Sequence, residues 1–400
     1  MNANSRQCMD AEYNIGSRPC GTFIVQLVAV VSLFAFVSPD SRAQIIVNSA
    51  STTVTVEGYG NLTTGASLRS DSTQGAAPDA VIFDGAARVL ARLSPPTGPN
   101  IGLRAVTEAS NNYLRVSEAS LLLFGAGGRL EIGKRMGLPD VLTGYAPNSF
   151  TFTTAEFGPP TGRTLDPGGG LQTQFLRASL RSRIEQLAAQ GVTASLFNDE
   201  SAKILYVLPK HEGWLGGVSF APDAEDVRFD RLMQIGLVHE TYWHQNVWRW
   251  GGSYAHARAK PVNGSAGFRD LDSISLGTSV SLNDALDIGI AASHDGHGGS
   301  PLLVPNQNTT SAWGATASIN YNRGPWTVGG YYQLSHGSTD AGAAIGERLS
   351  AFEVGASYRF TTRLRLYGAW FLYDLASDRR SEGPLINRGS AVTLGLRATL

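Results

Sequence analysis

Residues 273–282 read SISLGTSVSL, and a single alternation runs through all of them. Ile274, Leu276, Thr278, Val280 and Leu282 share one face; Ser273, Ser275, Gly277, Ser279 and Ser281 share the other. A period of two means an extended strand with one apolar and one polar side. An Asn283-Asp284 turn follows, and then Leu286, Ile288, Ile290 and Ala292 alternate with Asp287, Gly289, Ala291 and Ser293. Period and turn chemistry together make this a β-hairpin. The same pattern recurs at 313–321, 326–334, 352–360 and 364–372. Each segment has about ten residues, the length of a tilted strand crossing a bilayer.

The connections alternate in length. Short ones fall at 95–100, 126–128, 210–213, 243–246, 283–285, 322–325 and 361–362. Long ones fall at about 67–79, 136–199, 222–227, 259–270, 295–310, 338–347 and 377–387, and the brief ASNN at 109–112 sits where a long one is due. Seven short and eight on the other side give fifteen connections and therefore sixteen strands. Turns on one side and loops on the other fit an antiparallel barrel in a bacterial outer membrane. The fold class expected is all-β: a transmembrane 16-stranded antiparallel β-barrel. Its last strand, 390–400, is expected to pair with the first, 53–62, and so remove both sheet edges.

The N-terminus agrees with export. Arg18 precedes the apolar run Thr22 to Val37, and Ser41 and Ala43 occupy small-residue positions before Gln44. We read residues 1–43 as a secretory signal peptide and 44–400 as the barrel. The run is short for a membrane anchor, which needs roughly 20 residues. Both cysteines, Cys8 and Cys20, lie before Gln44, so an exported chain would carry no disulfide. The formal net charge of -1 gives no footprint for nucleic acid. Downstream of Val37 no apolar run is long enough for a spanning helix.

The polar faces are small and wet, built from Ser, Gly, Thr, Asn and Arg. A small barrel fills its interior with bulky side chains, whereas sixteen strands leave an aqueous channel. Aromatics gather beside the short turns: Tyr242, Trp243, Trp248, Trp250, Tyr321, Trp326, Tyr358 and Phe360. Such belts mark membrane interfaces.

Three stretches resemble the Gram-negative general porins, the proteobacterial type with sixteen strands. GGRLEIGKRMGLPD (127–140) is similar to that family's fifth strand and the start of its third loop. ILYVLPKHEGWLGGVSFAPDAED (204–226) is similar to a hairpin of the family, and the alternation ending at Leu400 to its assembly signal. The family usually ends in Phe, so Leu400 departs from it. The resemblance implies an outer-membrane homotrimer surrounded by lipid. Small hydrophilic solutes and ions would diffuse through it, and no cofactor would take part. It also implies that 136–199 folds into the barrel and narrows it. Residues 172–190 have helical spacing and are placed as a helix inside that loop.

On this reading Asp140, Glu156 and Asp166 line one side of the constriction. Alternation puts Arg88 and Arg92 on the face opposite Val89, Ala91 and Leu93, and Arg104 opposite Leu103 and Ala105. These arginines are the candidates for the facing wall, with Glu118 and Arg129 as further lumen residues. Glu353, Arg359, Arg363 and Arg365 also fall on the polar side, and the side of Arg135 is left open by the break at Gly133. Acid facing base across a narrow pore sets a transverse field that tunes permeation.

Two other classes of protein fit parts of the same sequence. A channel selective for sugars or anions would suit an arginine excess over only Lys134, Lys203, Lys210 and Lys260. An outer-membrane barrel enzyme needs a nucleophile or acid paired with His. The nearest approach is SHDGHGG at 293–299, a weak signal for a catalytic or metal site. GAGG at 125–128 is a turn without the Lys-Ser/Thr of a phosphate loop.

Overall fold

The computed structural model describes residues 44–48, 52–70, 80–110, 114–142, 201–223, 229–260, 269–283, 285–296, 312–337, 344–379 and 383–399. All belong to one compact unit, Arg42–Leu400. The proposed signal peptide, the proposed helix at 172–190 and Leu400 lie outside the described residues.

Seventeen strands form one sheet, every pairing antiparallel. They are β1 (Gln44–Asn48), β2 (Thr52–Ser70), β3 (Ala80–Leu93), β4 (Asn100–Ser110), β5 (Leu114–Gly125), β6 (Gly128–Lys134), β7 (Ala202–Val207), β8 (Trp214–Asp223) and β9 (Phe229–Trp243). Then come β10 (Asn246–Ala259), β11 (Leu271–Leu282), β12 (Leu286–Gly296), β13 (Ala312–Arg323), β14 (Trp326–Gly337), β15 (Ala344–Arg359), β16 (Leu364–Arg379) and β17 (Gly383–Thr399). Among the described residues one short helix, α1 (Leu138–Leu142), follows β6.

From β2 to β17 each strand pairs with the next, β9 with β10 included, and β17 returns to β2. Seventeen strands less β1 leave a ring of sixteen, the number read from the connections. All seven short connections join consecutive strands at one end. β6 is the fifth strand of the ring, as the resemblance implied.

The seam differs in one respect from expectation. β17 pairs with the second part of β2, from Gly389↔Ser70 to Thr399↔Tyr59. The first part, Thr53–Glu57, pairs with β1, which the sequence reading left out. The N-terminal segment therefore folds back and takes the stretch of β2 edge that β17 does not reach. An unpaired edge in lipid would leave its N–H and C=O groups unsatisfied.

Burial runs opposite to that of a soluble protein. Glu118, Ser253, Ser273, Ser275, Asn320, Glu353 and Thr393 are buried, while Leu103, Met233, Ile235, Leu276, Ile290, Ile319 and Leu394 are exposed. In a closed ring the concave side crowds its side chains and the convex side spreads them. The polar face is therefore the lumen, and the apolar face meets lipid. Among the described residues no helix is long and apolar enough to span a membrane.

Aromatics mark both edges of the apolar band. At the short-turn end Trp214, Trp243, Trp248, Tyr321, Trp326 and Phe360 are exposed, and Trp326 meets Tyr358 edge-on at 4.7 Å. At the far end Trp313 stacks on His336, ten residues beyond Trp326 on β14. Ten residues rise about 33 Å along a strand, or about 25 Å once tilted, which matches the apolar height of such barrels.

Candidate functional site: the lumen wall and its inward helix

The site begins where β6 stops. Leu130 and Ile132 face out while Arg129 and Glu131 face in, so Glu131 is buried and Ile132 exposed. Gly133 then takes φ +136°, where a side chain would put its Cβ 2.3 Å from the Ala119 carbonyl oxygen. The ladder runs one residue further, with Lys134 pairing with Ala119 and Ala202, and the chain leaves the wall after Arg135, whose N–H donates to the Ser201 carbonyl at 3.4 Å. Arg135 lands in the lumen, 6% exposed, which settles the side that the break at Gly133 left open.

Two residues later α1 docks against the inner wall. Leu138 and Leu142 are fully buried with Leu205, Val207 and Val238, all inward residues of β7 and β9. The wall leaves room for them. A Cβ on Gly217 would sit 2.8 Å from Leu138 Cδ1, and one on Gly236 would sit 2.6 Å from Leu142 Cδ1. The Leu138 N–H donates to Gln234 Oε1 at 2.9 Å, and Ser219 Oγ donates to the same oxygen at 2.9 Å. A helix N-terminus leaves N–H groups without intrahelical partners, and Gln234 satisfies one of them. The start of the long connection thus lies inside the barrel, across three strands from where it left the wall.

A charged network covers the neighbouring wall. Arg104 Nε donates to Glu118 Oε2 at 2.5 Å, and Arg135 Nη1 donates to Glu118 Oε1 at 2.7 Å. Arg135 Nε reaches Glu131 Oε2 at 2.8 Å, and Arg129 Nε pairs with Glu131 at 2.8 Å. Each carboxylate thus holds two guanidinium groups. Arg88 pairs in register with Val106, which pairs with Glu118, so it borders the network. Lys203, buried beside Gly133, adds another cation.

The residues nominated from sequence divide as follows. Arg88, Arg104, Glu118 and Arg129 come together on β3–β6. Arg92 stands apart near the short-turn end of β3, its guanidinium 4.7 Å from the Phe124 ring centroid. Asp140 lies within α1, two residues from each docked leucine. Glu156 and Asp166 lie outside the described residues. Sequence reasoning did not nominate Glu131, Arg135, Lys203 or Gln234. Alternation signalled all four: Arg135 keeps the parity of Arg129 and Glu131, Lys203 that of Leu205 and Val207, and Gln234 lies between the outward Met233 and Ile235. Across the named wall residues, Arg88, Arg92, Arg104, Arg129, Arg135 and Lys203 oppose Glu118 and Glu131, an excess of four positive charges (six less two).

A closed ring of strands with a polar lumen, an apolar exterior and aromatic girdles defines an outer-membrane β-barrel. The sequence profile of the Gram-negative porins matches residues 28–379, and the chain belongs to that family. It is an outer-membrane channel protein. Solved structures share the fold. OmpT from the outer membrane of Vibrio cholerae has a TM-score of 0.56 at 12% identity, covering 89% of this chain and 100% of that one. The trimer form of in-vitro folded OmpT has 0.55 at 13%, covering 88% and 100%. A mutant of the Rhodobacter blastica porin has 0.50 at 12%, covering 87% and 100%. No curated protein sequence matches.

The seat of α1 gives a direct prediction. Leu138→Asp puts an ionised carboxylate into an apolar contact, which costs several kcal/mol and favours undocking. Single-channel conductance is expected to rise and to become noisier. Wild-type conductance in the variant would show that α1 does not narrow the pore.

Proposed function

We propose that this protein is a general porin, a passive channel for small hydrophilic solutes and ions. The observation that carries the reading is the inward docking of α1 in a ring of sixteen strands. A lumen that wide is an open aqueous channel unless something narrows it. Backbone off the wall is tolerated only where it lines water or is buried in protein. The charged wall on β3–β6 and the docked helix α1 supply the two sides of the restriction. Arg88, Arg92, Arg104 and Arg129 would offer anions hydrogen bonds and charge as they pass. No catalytic step is part of this reading.

The wall also favours an oligomer. β6 and β7 have seven and six residues, against sixteen in β16 and seventeen in β17. Strands so short rise only about 15–18 Å across a tilted wall, less than the apolar band of about 25 Å. That low section needs another protein surface over it, and a homotrimer with this section at the contact supplies one.

Planar-bilayer recording tests the reading. Large ohmic steps, closing in threes, are expected in KCl. Block by one sugar or anion at low concentration would favour a selective channel instead. Hydrolytic activity without conductance would overturn the channel reading altogether.

A further inference from the structure

The outward face of β11–β14 carries a groove that permeation does not use, with a volume of about 620 Å³. Its floor is a strip of small residues, Ala292, Ala315 and Ala317; Leu276, Ile290 and Leu334 stand along it. Register explains the shape. Leu276 pairs with Ala292, Ala292 with Ala315, and Ala315 with Leu334, so two alanines lie side by side between leucines. Ile290 pairs with Ala317 one step lower.

The next outward step toward the long connections changes character. His294 pairs with Trp313, and Trp313 with His336. The Trp313 and His336 rings lie parallel, their centroids 6.2 Å apart. His336 Nδ1 is buried and has no hydrogen-bond partner among the described residues, which leaves Nε2 as the working atom of that ring. The third outward imidazole nearby, His256, is already held by Asp272 at 2.9 Å. An apolar groove therefore ends under two imidazoles and an indole, groups that donate N–H hydrogen bonds.

We propose that this is a binding site for one phosphate-bearing lipid of the outer leaflet. Its acyl chain lies along the alanine strip, and its phosphate accepts hydrogen bonds from His294, Trp313 and His336. Depth selects a lipid, because the histidine row sits at the upper edge of the apolar band, about 25 Å from the lower aromatic belt. Long loops mark that edge as the external one. The opposite, low section of wall at β6–β7 is the one that needs a second copy, whereas β11–β14 have eleven or twelve residues each and span the band unaided. The inference rests on the oligomer reading for that last point. A phosphate has only acceptors toward these donors, and so matches them.

Native mass spectrometry of the purified full-length protein tests it, with bisphosphorylated lipid A, its dephosphorylated form and inorganic phosphate as probes. The phosphorylated lipid is expected to stay bound at one per chain through detergent exchange. Ala292→Phe/Ala317→Phe fills the groove and should lower occupancy at least fivefold. His294→Ala/His336→Ala should keep tail binding and lose the preference for the phosphorylated form. Bilayer conductance of each variant reports folding independently, since none of these residues faces the lumen. Undiminished occupancy in the filled variant, or full displacement by inorganic phosphate, overturns the proposal. A filled variant that dissociates into single chains while keeping lipid would make the groove a contact between copies and overturn it too. The same spectra of the unaltered protein report its oligomeric state, so a failure of the trimer reading is seen separately.

Discussion

Replacing Arg88 and Arg92 together with alanine is expected to shift the reversal potential toward cations by at least about 10 mV in a tenfold KCl gradient. The full range for one charge is about 59 mV per tenfold ratio. Both residues lie on the inner face of β3, where their positive charge adds to the field of the lumen wall. Arg88→Lys/Arg92→Lys keeps the charge and should leave the potential nearly where it was. An unchanged potential in the alanine pair would remove both residues from the ion path.

The largest stability effect is expected at Arg135. Its guanidinium bridges Glu118 and Glu131, whose side chains are 0% and 1% exposed. Arg135→Met leaves two buried carboxylates each short of one partner. Removing one member of a buried pair costs about 3–5 kcal/mol. Arg104 and Arg129 remain in place, so the lower end applies, seen as a fall in the urea midpoint of the folded barrel. Arg135→Lys keeps a positive charge beside both carboxylates and should recover part of the loss. If it is as unstable as Arg135→Met, the two-sided hydrogen bonding of the guanidinium matters and its charge alone does not.

How legible was this molecule in its sequence? The wall was, because a strand facing lipid on one side and water on the other repeats every two residues. Nothing in the middle of 273–282 or 326–334 interrupts that period, and the turns between strands carry their own chemistry. β1 escaped because five residues, QIIVN, give too short a window for a period. The site was legible only in part. Arg88, Arg104, Glu118 and Arg129 follow from alternation, since each sits within a regular strand. Arg135 shares their parity too, but Gly133 interrupts the apolar pattern just before it, although the ladder keeps its register through Lys134. The seat of α1 was hidden for a different reason. Leu138 and Gly217 meet across about eighty residues, as do Leu142 and Gly236 across more than ninety, and neither glycine looks unlike an ordinary strand glycine.

The pairing of Thr399 with Tyr59 carries a consequence for how the molecule comes into being. Every other ladder joins strands that follow one another along the chain, so the wall grows hairpin by hairpin. Among the described strands only β17 against β2 joins distant parts of the chain, with partners up to 340 residues apart (399 less 59). Such a contact is slow to form and nothing earlier substitutes for it. Until β17 has docked on β2, the sheet has two open margins, each able to recruit another strand. The polar interior and the apolar exterior therefore become inside and outside at the same moment, when the final residues of the chain find its beginning.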